Sequence, residues 1–396
     1  MSLAPPAIIR TAVPPAQRSL APDLARGLML LLIAVAHAHM FLDHEIVGFR
    51  GYAVDGTVID RVVAGVQVLL VDGRALPMFA ALFGYGLARL VDHQERGGAD
   101  WPATKRIVRR RSAWLIAFGF AHALLLFFGD ILAAYGLIGL LGVGMLRARD
   151  KTLIRIALIA IPVHIAVELL AGSSAVAAGH EAAFPTMIAD PLEAMAMRLA
   201  VWSGLTWAYQ VAIVPALAIG IWAARRRLLD EPERHRALLG RVAAWGIAIG
   251  VVGGVPLMLF DTQLWTPGAA LSVPFYALHN LTGLATGFGY AALIGLVAAR
   301  RRGHRQPGRL TAALAACGQR SLTCYLLQSV AFVAIFTPIA GGLGASLGDA
   351  AASGVAVLVW AATVALAALM ARAGRRGPFE NLLRRLTYGP RTARRA

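Results

Sequence analysis

Arginine is spread along this chain in bursts, and every second gap between apolar segments receives one. The gap after the second apolar segment holds Arg89, Arg96, Lys105, Arg106, Arg109, Arg110 and Arg111. The gap after the fourth holds Arg147, Arg149, Lys151 and Arg155, and the gap after the sixth holds Arg225, Arg226, Arg227, Arg234, Arg236 and Arg241. The gap after the eighth holds Arg300, Arg301, Arg302, Arg305, Arg309 and Arg320. The intervening gaps carry Asp43, Glu45, Asp55 and Asp60, then Asp130, then Glu181, Asp190 and Glu193, then Asp261, then Asp349. Short loops beside a bilayer keep lysine and arginine on the cytoplasmic side, so this alternation points to a polytopic helical membrane protein and orients it as well.

Composition decides between this reading and its rivals. Hydrophobic residues make up 58% and charged residues 15% of the chain, with a mean hydropathy of +0.65. A soluble chain carries about a quarter charged residues. The formal net charge of +17 would suit nucleic acid, but it sits in short loops where anionic lipid is the neighbour. The expected partner is therefore the lipid bilayer and no nucleic acid. Neither Cys317 nor Cys324 falls near an expected outer loop, so no structural disulfide is expected.

A spanning helix needs about 20 mostly apolar residues. Ten segments qualify or nearly so: 24–42, 75–91, 113–128, 131–146, 153–171, 199–223, 242–260, 273–298, 322–343 and 354–371. The expected fold class is all-α, with about ten transmembrane helices in one domain over 24–372. Residues 1–23 form a cytoplasmic N-terminal segment, and 373–396 form a basic cytoplasmic tail with a short helix near 380–386. Both termini lie in the cytoplasm. The third and fourth spans, joined by Gly129 and Asp130, should form a tight hairpin. Residues 57–71 are amphipathic and read as an interfacial or re-entrant helix on the outer side. Arg26, an apolar run and Ala36-His37-Ala38 also mimic a cleaved signal peptide. The long basic region ahead argues against cleavage, which would leave nine spans.

A charge at the bilayer centre costs about 2.5–3.5 kcal/mol even on lenient scales, so polar groups inside spans are the functional candidates. Arg26 and His37 are eleven residues apart, within about 20° of the same helix face and about 16 Å apart along the axis. An arginine at the interface can grip phosphate, and a histidine deep on the same face can exchange a proton. His39 points about 200° away from His37. The plain alternative is a snorkelling Arg26 and a His37 satisfied by a neighbouring helix.

His122 and Asp130 form the next pair, with Asp130 either capping the fourth span or orienting a histidine or an acceptor hydroxyl. His164 and Glu168, at i and i+4, read as a partnered polar patch; two ligands are too few for a zinc site. His279 and Asn280, with Tyr276 one turn earlier, either bind a polar acceptor or bond to a neighbouring helix. The same two readings apply to Tyr325 and Gln328 after Arg320. Prolines 77, 162, 215, 256, 274 and 338 are expected to kink helices. The chain has no phosphate-cradling loop with lysine, GxSxG, HExxH or CxxC.

Several stretches together resemble a known family. These are Asp23-Leu24-Ala25-Arg26-Gly27, Met78-Phe79-Ala80-Ala81-Leu82-Phe83-Gly84-Tyr85-Gly86 and Gly119-Phe120-Ala121-His122, followed by Gly129-Asp130-Ile131-Leu132-Ala133-Ala134-Tyr135-Gly136. Gly318-Gln319-Arg320-Ser321-Leu322-Thr323-Cys324-Tyr325-Leu326-Leu327-Gln328-Ser329 and Gly377-Pro378-Phe379-Glu380 complete the set. Their order and spacing resemble the YeiB-like bacterial membrane proteins, whose C-terminal half is called domain of unknown function 418. That family is similar to a wider superfamily of transmembrane acyltransferases. These include enzymes that O-acetylate cell-envelope sugars and the lysosomal heparan glucosaminide N-acetyltransferase. The O-acetylating branch has a basic residue, ten intervening residues and a histidine in its first span, as Arg26 and His37 do here. YeiB-like sequences often have asparagine at the positions of His37 and Cys324.

The resemblance implies a bacterial inner-membrane acyltransferase using acyl-CoA, acetyl-CoA foremost, as co-substrate. Arg26, Arg109 and Arg110 would hold the donor. His37, with Asp130 and His122, would serve catalysis. His279, Asn280, Tyr325 and Gln328 would meet a small-molecule or cell-envelope acceptor. No metal and no permanently bound cofactor is expected, and the sequence leaves the oligomeric state open. The alternatives are a transporter or lipid-handling protein using the same polar groups as a path, and a non-catalytic scaffold.

Overall fold

In lipid the only cheap way to satisfy the backbone of an apolar segment is to coil it into a helix, and the computed structural model follows that rule. It describes residues 19–179, 184–266, 268–301 and 308–389. Residues 1–18, Glu181, Arg302, Arg305, Pro390 and the arginines after it lie outside the described residues. Among those described there is no strand, only an isolated bridge between Val47 and Ala53. The helices are α1 (Leu20–Ala38), α2 (Val58–Leu70), α3 (Ala75–Glu95), α4 (Trp101–Leu125), α5 (Leu132–Leu141), α6 (Asp150–Ala177) and α7 (Pro191–Ala208). They continue with α8 (Gln210–Arg225), α9 (Arg236–Asp261), α10 (Ala269–Arg301), α11 (Arg309–Gln319), α12 (Ser321–Phe336), α13 (Asp349–Arg372) and α14 (Pro378–Tyr388).

Among the described residues six helical units are long and apolar enough to cross a membrane, seven if α7 and α8, bent by 44° at Tyr209, count as one. All ten expected segments fall on helices, but α5 with its following turn and α12 are short. In α4 only the second half is apolar, because Lys105, Arg106, Arg109, Arg110 and Arg111 lie within the helix rather than in a loop before it. α2 was expected as a separate interfacial or re-entrant piece. Instead α2 and α3 run on as one 38-residue apolar unit, Val58–Glu95, broken at a turn where Gly73 takes φ +72. α2 buries Ala64, Gln67 and Val68 and turns Val58, Val62, Val66 and Leu70 outward, a stripe that suits acyl chains. α11, in a gap read as loop, is an unforeseen helix.

Small residues let these helices approach closely. α3 and α8 cross where Gly84 lies against Leu217 and Gly220 against Ala81, so close that an added methyl would strike backbone. α11 seats against α1 in the same way, Gly318 on the Asp23 carbonyl and Gly27 on that of Leu314.

The charges separate by end. At one end Arg225 and Arg226 hold Asp150 at 2.8 and 2.7 Å, Arg89 meets Asp230 at 3.1 Å, and Arg147 meets Glu95 at 3.0 Å. There too Glu380 of α14 accepts from the backbone N–H groups of Leu322 and Thr323 at 2.8 and 3.0 Å. At the other end Asp261 accepts from Phe49 and Arg50 N–H at 2.9 and 3.0 Å, Asp349 accepts from Ala53 at 3.0 Å, and Asp60 accepts from Ala350 at 2.8 Å.

Candidate functional site

The turn from α4 to α5 builds the first cluster. Asp130 Oδ2 accepts the Ala133 N–H at 2.8 Å, the capping role. Its Oδ1 lies 3.0 Å from His122 Nδ1, with no side-chain surface exposed on either residue. The contact is close but off the ideal hydrogen-bond direction. Asp130 can sit there because Gly119 of α4 offers no side chain: a Cβ would strike both Asp130 Oδ2 and Ala133 N. The other imidazole nitrogen, His122 Nε2, lies 2.8 Å from the Ser329 hydroxyl of α12.

α1 and α12 add the rest. The His37 ring packs 4.4 Å from Phe127 and 6.5 Å from Tyr325, and Tyr325 lies 4.9 Å from the His122 ring. Tyr325 therefore touches or faces both imidazoles. His37 itself is half-buried, whereas His39 is buried and stacks on Tyr52 at 4.2 Å.

A cavity of about 80 Å³ reaches Tyr325 from the arginine-bearing end, enough for several waters. Leu30 of α1, Arg111 and Leu115 of α4, Tyr135 of α5, Ser321 of α12 and Leu383 of α14 are among the residues that line it. Leu30 lies four residues after Arg26 and seven before His37, so the α1 face carrying both points toward this cavity. Arg26 is not in the lining. It pairs with Asp23 at 2.7 Å and donates to the Pro22 carbonyl at 3.2 Å. Arg109 and Arg110 are exposed, while Arg111 is half-buried at the cavity wall.

His279 and Asn280 belong to a second cluster. Arg74, fully buried, contacts His279 and the Asp72 carbonyl and donates to Gly250 O at 3.0 Å. His279 Nε2 also lies 2.9 Å from Val68 O. Asn280 donates to Glu168 at 2.8 Å and accepts from Arg50 at 3.3 Å, and His164 lies 3.6 Å from Glu168. Arg50 is 3.9 Å from Asp72, whose carboxylate accepts the Tyr52 hydroxyl at 2.8 Å. Burial opposes the charge on Arg50, but Asp72, with Tyr276, Tyr52 and Asp261, outweighs it and raises the pKa above the ordinary arginine value. Gln328 stands apart, donating to Thr363 of α13 at 3.2 Å.

The structure thus gathers His37, His122, Asp130 and Tyr325, puts His279 and Asn280 in a neighbouring network, and leaves Arg26, Arg109, Arg110 and Gln328 outside both. Sequence reasoning missed Ser329, Arg50, Asp72 and Arg74. Arg50 and Arg74 carried a signal, as arginines in stretches that otherwise carry acids. Cys317 and Cys324 are free and buried.

An all-helical bundle with outward apolar stripes and polar clusters inside defines a multi-pass membrane protein. Residues 223–390 match the family model described as "Protein of unknown function (DUF418)", and most of the chain is similar to two uncharacterized proteins. It is 26% identical over 399 residues to the uncharacterized protein YxaH of Bacillus subtilis (strain 168), covering 92% of this chain and 93% of that one. It is 29% identical over 345 residues to the uncharacterized protein YeiB of Escherichia coli (strain K12), covering 79% and 81%.

Proposed function

We propose that this chain is an integral membrane acyltransferase of the bacterial inner membrane. It crosses about ten times with both termini in the cytoplasm, and it passes an acyl group from cytoplasmic acyl-CoA to a hydroxyl or amine acceptor at or beyond the outer face. The observation that carries the reading is the meeting of two imidazoles, His37 and His122, on Tyr325, which lines a cavity together with Arg111. In this reading the guanidinium receives donor phosphates. Arg26, Arg109 and Arg110 extend the cationic surface that attracts them. His37 takes the proton of the attacking acceptor, a role worth about 10²–10⁴ in rate. Asp130 orients His122. Asn280, with Arg50 and Glu168 around it, offers polar groups to an acceptor from the opposite end.

The test uses purified full-length protein in nanodiscs with labelled acetyl-CoA. Wild type is expected to hydrolyse the donor slowly and to transfer it when a suitable acceptor is supplied, and His37→Ala is expected to lose both. The second polar cluster favours one rival, a transporter whose substrate passes Arg50 and Glu168. Solute uptake into proteoliposomes without any binding of acetyl-CoA would establish that rival in place of the enzyme.

A further inference from the structure

We propose that Ser329 is a nucleophile, activated by His122 and Asp130, and that the acyl group is carried on its oxygen between donor and acceptor. This rests on the acyl-transfer reading and adds a covalent intermediate to it. The geometry comes from three helical elements that the sequence keeps apart. The α5 cap supplies Asp130 Oδ1, 3.0 Å from His122 Nδ1, α4 supplies the imidazole, and α12 supplies the hydroxyl, 2.8 Å from His122 Nε2. A carboxylate on one imidazole nitrogen fixes the proton there and leaves the other nitrogen to accept from an alcohol. Ser329 has one other acceptor in reach, the Tyr325 carbonyl at 3.4 Å, and His122 is the nearer of the two.

Ser329 and His122 are buried, at 4% and 2% exposure, so a donor has to be brought to them. Tyr325 is in the cavity lining and lies one helical turn before Ser329 on the same face of α12. The Tyr325 ring covers His122 at 4.9 Å, and its hydroxyl makes no hydrogen bond of good geometry. A swing of that one side chain joins the cavity to the Ser329–His122 pair.

The chemistry balances without a metal or redox partner. The Ser329 oxygen attacks the thioester carbonyl while its proton passes to His122 Nε2. The C–S bond breaks, and the departing thiolate takes that proton and leaves as a thiol, giving an acyl-serine ester. The acceptor hydroxyl then attacks the ester carbonyl. Its proton is taken up by the imidazoles and ends on the Ser329 oxygen as the Oγ–C bond breaks.

The experiment incubates full-length protein in nanodiscs with radiolabelled acetyl-CoA and no acceptor, denatures it, and maps the label by peptide mass spectrometry. The expected result is one acetyl group on the peptide holding Ser329, released by alkaline hydroxylamine as an ester. Ser329→Ala should lose the label and slow transfer by at least about a hundredfold. Ser329→Cys guards against a folding defect, since it should fold, take the label and release it as a thioester. If wild type transfers acetyl without carrying it, and Ser329→Ala keeps half the rate, this inference is overturned while the acyltransferase reading stands. If wild type neither carries nor transfers acetyl, both are lost.

Discussion

His122 Nδ1 and Asp130 Oδ1 stand 3.0 Å apart across the turn from α4 to α5, closed off from solvent on both sides. Asp130 does two jobs there, because its other oxygen caps α5 through the Ala133 N–H. The jobs separate by substitution. Asp130→Asn keeps a cap of similar quality but removes the charge facing His122 Nδ1. It should fold with little change in melting temperature and lose about 10²-fold or more in acyl transfer. Asp130→Ala should lose the rate and also about 1 kcal/mol of stability. Equal rates for Asp130→Asn and wild type would leave this carboxylate as a cap alone.

The helical segments were legible in the sequence because lipid leaves an apolar run of that length no alternative. The alternating arginines were legible because short loops on one side of a bilayer collect them, and Arg89, Arg147, Arg225 and Arg226 meet their acids at one end of the structure. Other features depended on tertiary contacts. The α7–α8 break falls at Tyr209, where neither that residue nor Gln210 beside it is a proline or glycine. α11 is short, and what makes it matter is Gly318 seated on α1. His37 and His122 stood out because ionisable groups are rare in spans, and their meeting is a fact of packing. Ser329 did not stand out, since serine is unremarkable in a helix until an imidazole is found beside it. Arg50 and Arg74 did carry a mark, as exceptions to the charge pattern. A buried arginine has to be partnered, and Asp72, His279 and Gly250 are the partners they found.

Gly119 is where the first cluster can be tested for stability rather than rate. A methyl group there meets Asp130 Oδ2, Ala133 N and the Ala133 side chain at once, and backbone gives way poorly. Gly119→Ala should cost about 1–3 kcal/mol. Gly240→Ala on α9, with no atom within 4 Å of the new methyl, should be neutral or gain about 0.5–1 kcal/mol in helix propensity. Melting temperatures by intrinsic fluorescence compare the two, and equal shifts would remove the claim of contact.

Arg111 and Arg109 separate a lined cavity from a merely charged surface. Arg111 is on the cavity wall and Arg109 is exposed on the same helix. If donor phosphate enters there, Arg111→Ala should weaken acetyl-CoA binding about tenfold or more, as loss of a charge-assisted contact does. Arg109→Ala should change it little, and only at low salt. Isothermal titration at two salt concentrations reads both. Equal losses would mean that the arginine cluster acts as a diffuse field.

His44 sets a pH dependence at the opposite end. It lies 3.5 Å from Asp349, which also anchors the Ala53 N–H. Burial works against the imidazolium, but Asp349, with Asp55 and Asp60, outweighs it and raises the His44 pKa above 6.5. A pKa raised on folding stabilises the protein fully below the unfolded value of about 6.5 and loses that stabilisation as pH climbs through the folded value. Wild type should therefore melt progressively lower as pH rises from about 6 to about 8. His44→Gln should show a flatter profile over the same range, and the difference between the two curves isolates this one group from every other titrating residue. If the curves run parallel, the His44–Asp349 contact carries no protonation-linked stability.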